Sequence, residues 1–181
     1  MKALTERLKE QFRISETVQQ RSDELFITAP REEAVSLVTY LKEQEGFRHL
    51  VLLTAVDWPE EGRFQLTYLL NSHTRKADVG VRVYLDREHP EMASIHHLWR
   101  QAATYQRELR EMFGIDFPGS PRVNEPFILE GWHDIPPYRR DFDTKKYAET
   151  TYFPRPGRET QDPAAYMKKK LYPEEDHDGQ G

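Results

Sequence analysis

The segment HLVLLTAVDWPEEGRFQLTYLLNSHTRKADVGVRVYLD, residues 49–86, contains three strand patterns separated by two short polar connections. His49–Trp58 is nearly all apolar, which predicts a strand covered on both faces. In Arg63–His73 and Ala77–Asp86 apolar residues alternate with polar ones, which predicts strands with one buried face. The Pro-Glu-Glu-Gly and Ser-His-Thr-Arg-Lys connections suit antiparallel hairpins. This segment therefore predicts three sequential strands, each paired with the next.

Two helices and a further strand are predicted before this segment. Leu4, Leu8 and Phe12 have helical spacing and predict a short first helix. Glu24–Thr28 has the composition of a strand. Arg31–Gln44 has acidic residues in its first turn, apolar residues at helical spacing and a glycine soon after it, so it predicts a second helix.

A third helical region is predicted from about Ser94 to Phe113, with a break near Arg100. Together these elements predict an α+β fold. We expect a two-layer domain over residues 1–117, with helices packed on a mixed or antiparallel sheet.

The rest of the chain is rich in proline and aromatic residues. Nine of the 12 prolines occur at or after residue 118, and proline is excluded from helix interiors and central strands. We therefore predict an extended arm over residues 118–173, followed by a flexible acidic tail over residues 174–181. The aromatic content is high for a disordered segment. It favours an arm that packs on another protein, although packing on its own domain is the alternative.

Composition excludes several classes of function. The chain has no cysteine, which excludes disulfides, thiolate zinc sites and cysteine-ligated iron–sulfur clusters. No apolar run is long enough to span a bilayer, and the first residues do not form a secretory signal, so we expect a cytoplasmic location. Nucleotide-binding and hydrolase motifs are also absent. We expect no catalytic, cofactor-binding or metal-binding residue in this chain.

The last helix of the domain has a dense charge pattern. Tyr105, Leu109 and Met112 form one apolar stripe, and Arg107 is spaced for an i,i+4 ion pair with Glu111. The glycine that follows this helix, Gly114, occupies the position that favours a left-handed cap. Read from these residues alone, the segment is a surface helix closed by a glycine.

Two other features have competing interpretations. Asp57 follows an apolar strand, where an aspartate is usually a turn former rather than a catalytic group. The basic and aromatic residues of segment 132–159 leave RNA binding open as an alternative. Acidic residues such as Asp134 and Asp141 are interspersed there, and the net charge of the chain is −5, so we expect RNA binding to be weak.

The sequence resembles a known family, the thirty-kilodalton subunit of respiratory complex I, which is called the C subunit of NADH–quinone oxidoreductase in bacteria. The resemblance runs from about Arg48 to Asp141. It rests on five blocks that occur in order: LTAVDWP (53–59), FQLTYLLNSHTRKADVGVRV (64–83), SIHHLW (94–99), QRELREMFGIDFPGSP (106–121) and WHDIPPYRRDF (132–142). Where the family usually has Glu-Arg-Glu, this chain has Gln106-Arg107-Glu108.

The resemblance implies a noncatalytic scaffold subunit of the peripheral arm of a proton-translocating complex. Its partners would be the quinone-site large subunit, which resembles a hydrogenase large subunit, and the iron–sulfur subunits. Flavin and iron–sulfur clusters would belong to partners, and the chain would lie on the cytoplasmic side of the membrane, touching it only through the complex. The signature positions expected at interfaces are Arg107, Glu108, Met112, Phe113, Gly114, Gly119, Pro121, Trp132, Arg139, Arg140 and Asp141.

Subunits of this family also occur in related complexes, so the resemblance leaves open which complex this chain belongs to. The chain could instead be the equivalent subunit of an energy-converting hydrogenase, or of a complex fed by ferredoxin or a deazaflavin. A more distant alternative is a free RNA-binding module.

Overall fold

The structure is a computed structural model that describes residues 1–152 and the single residues 164, 167, 168 and 171. The chain divides into two compact units, Met1–Phe142 and Asp143–Gly181. The first unit contains a five-stranded sheet, three α-helices and a short 3₁₀ helix (Pro59–Glu61). Their bounds are α1 (Lys2–Gln11), β1 (Glu16–Arg21), β2 (Glu24–Thr28), α2 (Arg31–Glu43), β3 (His49–Trp58), β4 (Arg63–Ser72), β5 (Ala77–Asp86) and α3 (Ala102–Phe113).

The sheet is mixed, with the strand order β1-β2-β5-β4-β3. The pairs β1–β2, β3–β4 and β4–β5 are antiparallel, whereas β2 and β5 are parallel. It follows that β3 runs in the same direction as β2, and α2 forms the crossover that parallel strands require. The two hairpins then bring β5 back into the gap between β2 and β4.

The core lies between one face of the sheet and the three helices. Along β4, every second residue is buried: Phe64, Leu66, Tyr68 and Leu70. The apolar residues of α1, α2 and α3 enter the same cluster. The apolar residues alternate along the strands and recur at helical spacing along the helices. Both patterns direct the apolar side chains into one layer.

Most predicted elements of the first unit are confirmed, including the three strands, both hairpins and the α+β class. The region predicted as helical from Ser94 is helical only from Ala102, after a series of turns. Strand β1 is not predicted from the sequence, because ETVQQR has little apolar alternation.

One prediction about β3 is wrong. The sequence predicts a strand covered on both faces, but β3 lies at the edge of the sheet and exposes Val51, Leu52, Val56 and Trp58. A short apolar run does not by itself distinguish an internal strand from an edge strand.

The predicted domain boundary also differs from the structure. The first compact unit extends past Phe117 to Phe142, because residues 127–141 make hydrogen bonds and ion pairs with the domain.

The predicted arm also contains regular structure. The second unit has a helix, α4 (Thr144–Tyr152), and Asp143 caps its first turn by accepting a hydrogen bond from the Lys146 amide at 2.9 Å. The helix contradicts the expectation of little regular structure at this point. Of the predicted arm (118–173), most of residues 153–173 lie outside the described residues, as does the whole predicted tail (174–181).

Candidate interaction surface

Helix α3 ends at a glycine whose backbone conformation and surroundings both matter. Gly114 has φ 79°, and its amide donates hydrogen bonds to the carbonyls of Leu109 and Arg110. This confirms the predicted left-handed cap. A β-carbon placed at residue 114 would lie 3.0 Å from Nη2 of Arg139. Glycine therefore lets the block 132–142, which contains Arg139, approach the helix end closely.

Glu111 holds a loop against α3. Its carboxylate accepts hydrogen bonds from three consecutive backbone amides, those of Phe127, Ile128 and Leu129, at 2.6, 2.9 and 3.1 Å. The predicted ion pair between Glu111 and Arg107 is wrong. Arg107 instead lies 4.0 Å from Glu125 and over the ring of Phe127, since the loop amides use both oxygens of Glu111.

A second set of charged contacts joins the end of β3 to the Arg-Arg-Asp signature. Nε and Nη2 of Arg87 donate hydrogen bonds to Oδ1 and Oδ2 of Asp57, at 2.8 and 3.1 Å. The Arg140 amide donates to Oδ2 of Asp57 at 2.9 Å, and Nη2 of Arg87 lies 2.8 Å from Oδ1 of Asp141. We call Asp57, Arg87, Arg139, Arg140 and Asp141 the Asp57 cluster.

Arg139 connects this cluster to α3. Its Nε donates to the carbonyl of Phe113 at 2.7 Å, and its guanidinium lies 5.3 Å from the centre of the Phe64 ring. A cation near the last carbonyls of a helix is favoured by the helix dipole. The neighbouring Tyr138 amide donates to the carbonyl of Met112 at 3.0 Å. The signature segment thereby closes the carboxyl end of α3.

Both carboxylates of the cluster are paired with Arg87. Burial raises the pKa of Asp57, but the hydrogen bonds from Arg87 and the Arg140 amide outweigh burial, so this pKa lies below its ordinary value. The hydrogen bond to Asp57 raises the pKa of Arg87 further above its ordinary value. Burial, together with the nearby charge of Arg87, lowers the pKa of Arg139. Since Asp57 is only 3% exposed, it depends on these partners to remain ionised.

The remaining signature residues have different surroundings. The Trp132 indole donates to the carbonyls of Asp134 and Ile135, both at 3.1 Å, and its ring contacts Phe142 edge-on. Met112 and Phe113 are buried in the core, whereas Gly119 and Pro121 lie in an exposed turn. Within residues 1–142, the half-buried Glu108 side chain makes no hydrogen bond or ion pair.

The family described as respiratory-chain NADH dehydrogenase, 30 Kd subunit, matches residues 27–148. The chain belongs to this family. The match includes strands β3, β4 and β5, helix α3, the Glu111-bound loop and the complete Asp57 cluster. The resemblance inferred from the sequence blocks is confirmed.

Curated relatives have matching names. The chain is 38% identical over 116 residues to the NADH-quinone oxidoreductase C subunit of Moorella thermoacetica, covering 64% of this chain and 78% of that protein. It is 35% identical over 130 residues to the protein of the same name from Phenylobacterium zucineum, covering 71% of this chain and 61% of that protein.

Two solved structures have a similar fold. A trypsin-resistant fragment of Nqo5 matches 66% of this chain and 96% of its own, with a TM-score of 0.55 and 27% identity. A chain of an archaeal membrane-bound sulfane sulfur reductase matches 89% of this chain and 96% of its own, with a TM-score of 0.74. Its identity is 24%, which supports the fold alone. No helix in the described part of this chain is long and apolar enough to span a membrane.

The sequence does not identify three residues that make central contacts in this surface, Asp57, Arg87 and Glu111. The sequence favours a turn former at Asp57 and a surface ion pair at Glu111, and it gives no sign of a role for Arg87. Their partners are 16 to 83 residues away in the chain. The only local signal is a carboxylate at the end of an apolar strand. Both Asp57 oxygens accept hydrogen bonds from arginines, which makes this carboxylate a poor proton acceptor.

Proposed function

We propose that this chain is the thirty-kilodalton subunit of a membrane-associated NADH–quinone oxidoreductase and serves there as a noncatalytic scaffold. The whole complex would transfer electrons from NADH to quinone and couple this reaction to proton pumping. The observation that carries the proposal is the family match over residues 27–148, which contains all five sequence blocks.

The Asp57 cluster supports a structural role for the signature. Its carboxylates are bound by guanidinium groups or by a backbone amide, and Arg139 is bound to the end of a helix. Groups held in this way fix the position of a segment, whereas a general acid or base needs a pKa near the working pH. Flavin and iron–sulfur clusters would belong to partner subunits.

The segment 127–142 also presents apolar side chains to solvent. Ile128, Ile135 and Tyr138 are exposed on the segment that the Glu111 carboxylate and the Asp57 cluster hold in place. Aromatic and aliphatic residues on a rigid support are typical of protein interfaces. We propose that this surface packs on the quinone-site large subunit, in a peripheral position on the cytoplasmic side of the membrane.

A second candidate has a specific observation behind it. A fold with a TM-score of 0.74 to this chain occurs in an archaeal respiratory membrane complex named for sulfane sulfur reduction. This fold is therefore found in a complex with different chemistry. The equivalent subunit of an energy-converting hydrogenase, or of a complex fed by ferredoxin or a deazaflavin, is the alternative.

Affinity purification of an endogenous tagged copy from native membranes tests these proposals. We expect partner subunits that include a flavin-containing, NADH-oxidising protein and an iron–sulfur protein, identified by mass. A nickel-containing large subunit in their place would favour the hydrogenase alternative. Recovery of the chain alone, or with RNA, would contradict both.

A further inference from the structure

The sheet has one face that no helix of the first unit covers. On β4, Gln65, Thr67 and Leu69 alternate with the buried residues and so point away from the helices. The register places Gln65 beside Val56 and Tyr84, and Leu69 beside Leu52 and Gly80. We call this surface the open face, and define it by Phe26, Leu52, Val56, Trp58, Arg63, Gln65, Thr67, Leu69, Arg82 and Tyr84.

The edge of the open face is apolar. Leu52, Val56 and Trp58 on β3 remain 40%, 42% and 37% exposed. They stand on one strand, next to the partly exposed Leu69 of β4. Adjacent large apolar side chains on a sheet surface are typical of an interaction site, whereas single ones are not.

The middle of the open face is an arginine stacked on an aromatic ring. A β-carbon at Gly80 would lie 2.3 Å from Cδ1 of Phe26, so the ring rests directly on the backbone of β5. The Arg82 guanidinium lies 4.2 Å from the centre of that ring. A second stack, Arg63 over Tyr84 at 3.7 Å, lies nearby. Stacking fixes the orientation of the guanidinium plane. Binding of a partner to this arginine therefore costs less conformational entropy.

The two arginines differ in their charge partners. Arg63 forms an ion pair with Glu61. Arg82 forms no ion pair in the described part of the chain. Nε of both arginines is buried without a hydrogen-bond partner there, so the two differ only in the ion pair. An arginine that is fixed and partly desolvated, yet unpaired, is a favourable site for a carboxylate from outside.

We propose that the open face docks a partner protein that places a carboxylate on Arg82 and apolar side chains over Leu52, Val56 and Trp58. This inference rests on the proposed function, because it names a face by which the chain would contact a neighbour in the complex. It concerns a different surface from the block 132–142, since the Asp57 cluster closes the end of α3 and Arg82 lies on the sheet face that no helix of the first unit covers.

The charges around the open face favour a protein over a polyanion. Asp78 and Asp86 are at the two ends of β5, and Glu61 lies beside Arg63. Three carboxylates near two arginines would repel a phosphate backbone or an anionic lipid surface. A single carboxylate surrounded by apolar side chains complements this arrangement.

Charge reversal on the open face provides the first test. We expect Arg82→Glu to reduce the yield of assembled complex by about tenfold or more, because it places two carboxylates in contact. The control Arg100→Glu changes an exposed arginine outside the open face and leaves the yield within about twofold. The melting temperature of each free full-length variant is measured as a test of folding. If Arg82→Glu lowers the melting temperature, Arg82→Gln replaces it in the assembly experiment. Normal assembly of a stably folded Arg82 variant would overturn the proposal.

A thiol label provides the second test, because the natural chain has no cysteine. In the full-length Val56→Cys chain we expect rapid reaction with a maleimide in the free protein. In the purified complex the reaction should be at least about tenfold slower, because a buried thiol is shielded from the reagent. Equal reactivity in both states would overturn the proposal, as would slow reaction in the free chain, which would indicate cover by the chain itself.

The wild-type chain separates the two levels of inference. If it assembles with partner subunits while both tests on the open face fail, the docking proposal is wrong and the proposed function stands. If the wild-type chain recovers no partner, the proposed function fails and the docking proposal fails with it.

Discussion

Asp57 and Arg87 form a two-point ion pair, with Nε and Nη2 of the guanidinium 2.8 and 3.1 Å from the two carboxylate oxygens. They lie at the ends of strands β3 and β5, which are separated in the sheet by β4. Through Asp141 and the Arg140 amide, this pair also holds the Arg-Arg-Asp signature. One buried carboxylate therefore links the sheet to the last of the five sequence blocks, residues 132–142.

Asp57→Asn removes this charge and leaves Arg87 with Asp141 as its remaining carboxylate. We expect the free energy of unfolding to fall by about 3 kcal/mol, because Arg87 loses its buried carboxylate partner and keeps only the more exposed Asp141. Urea denaturation of the free chain measures the change. Glu60→Gln is the matched control, since it breaks only the exposed Arg140–Glu60 pair and should have a much smaller effect. Equal effects would show that the Asp57 cluster adds no stability of its own.

The same carboxylate predicts how stability depends on pH. The pKa of Asp57 is lowered in the folded protein, so the unfolded chain binds a proton at higher pH than the folded chain does. The stabilisation is complete above the unfolded value of about 4 and is lost as pH falls through the folded pKa. Between pH 6 and pH 3 we expect a steeper loss of unfolding free energy in the wild type than in Asp57→Asn. Parallel curves would contradict the assignment.

Gly114→Ala tests how closely Arg139 approaches the end of α3. At residue 114 an alanine must adopt a positive φ, and its β-carbon lies 3.0 Å from a guanidinium nitrogen of Arg139. At residue 119 (Gly119→Ala) an alanine must adopt a similar φ of 80°, but its β-carbon contacts no neighbouring group within 4 Å. Both variants carry a backbone cost of about 1–2 kcal/mol. We expect the loss of stability to be larger at Gly114, and the excess to shrink in an Arg139→Ala background. An equal loss at both glycines would mean that the contact is unimportant.

Glu111→Gln tests whether α3 holds the loop that follows it. An amide side chain has one acceptor oxygen, so it cannot replace a carboxylate that receives three backbone amides. We expect faster hydrogen exchange at Phe127, Ile128 and Leu129, with no change at Tyr138, whose amide is bound to Met112. Glu108→Gln on the same helix is the control. If both variants exchange alike, the loop is held by its other contacts.

Exchange in the wild-type chain tests what orders the segment beyond Pro118. The prolines favour an arm ordered by a partner, while the structure gives residues 127–141 hydrogen bonds to their own domain. We therefore expect the Tyr138 and Arg140 amides to be protected in the free chain, and to gain little further protection on assembly. Protection that arises only in the complex would support ordering by the partner.

The sequence by itself determined the local elements and the family. Alternation of apolar residues identified β4 and β5, helical spacing identified α1 and α2, and Gly114 identified the end of α3. The order of five motif blocks identified the family. These signals are readable because side-chain direction repeats every two residues in a strand and about every 3.6 in a helix.

Only the tertiary structure decided what those elements contact. The apolar run of β3 has the same composition in the middle of a sheet as at its edge, so its exposed face was not predictable. Asp57 became a buried ion-pair partner only because Arg87 and Arg140, 30 and 83 residues away, meet it in space. Arg82 stacks on the Phe26 ring because Gly80, on the neighbouring strand, leaves room for that ring. Local periodicity carries no information about such distant neighbours, and the energy of a charged side chain depends on them more than on its own position in the sequence.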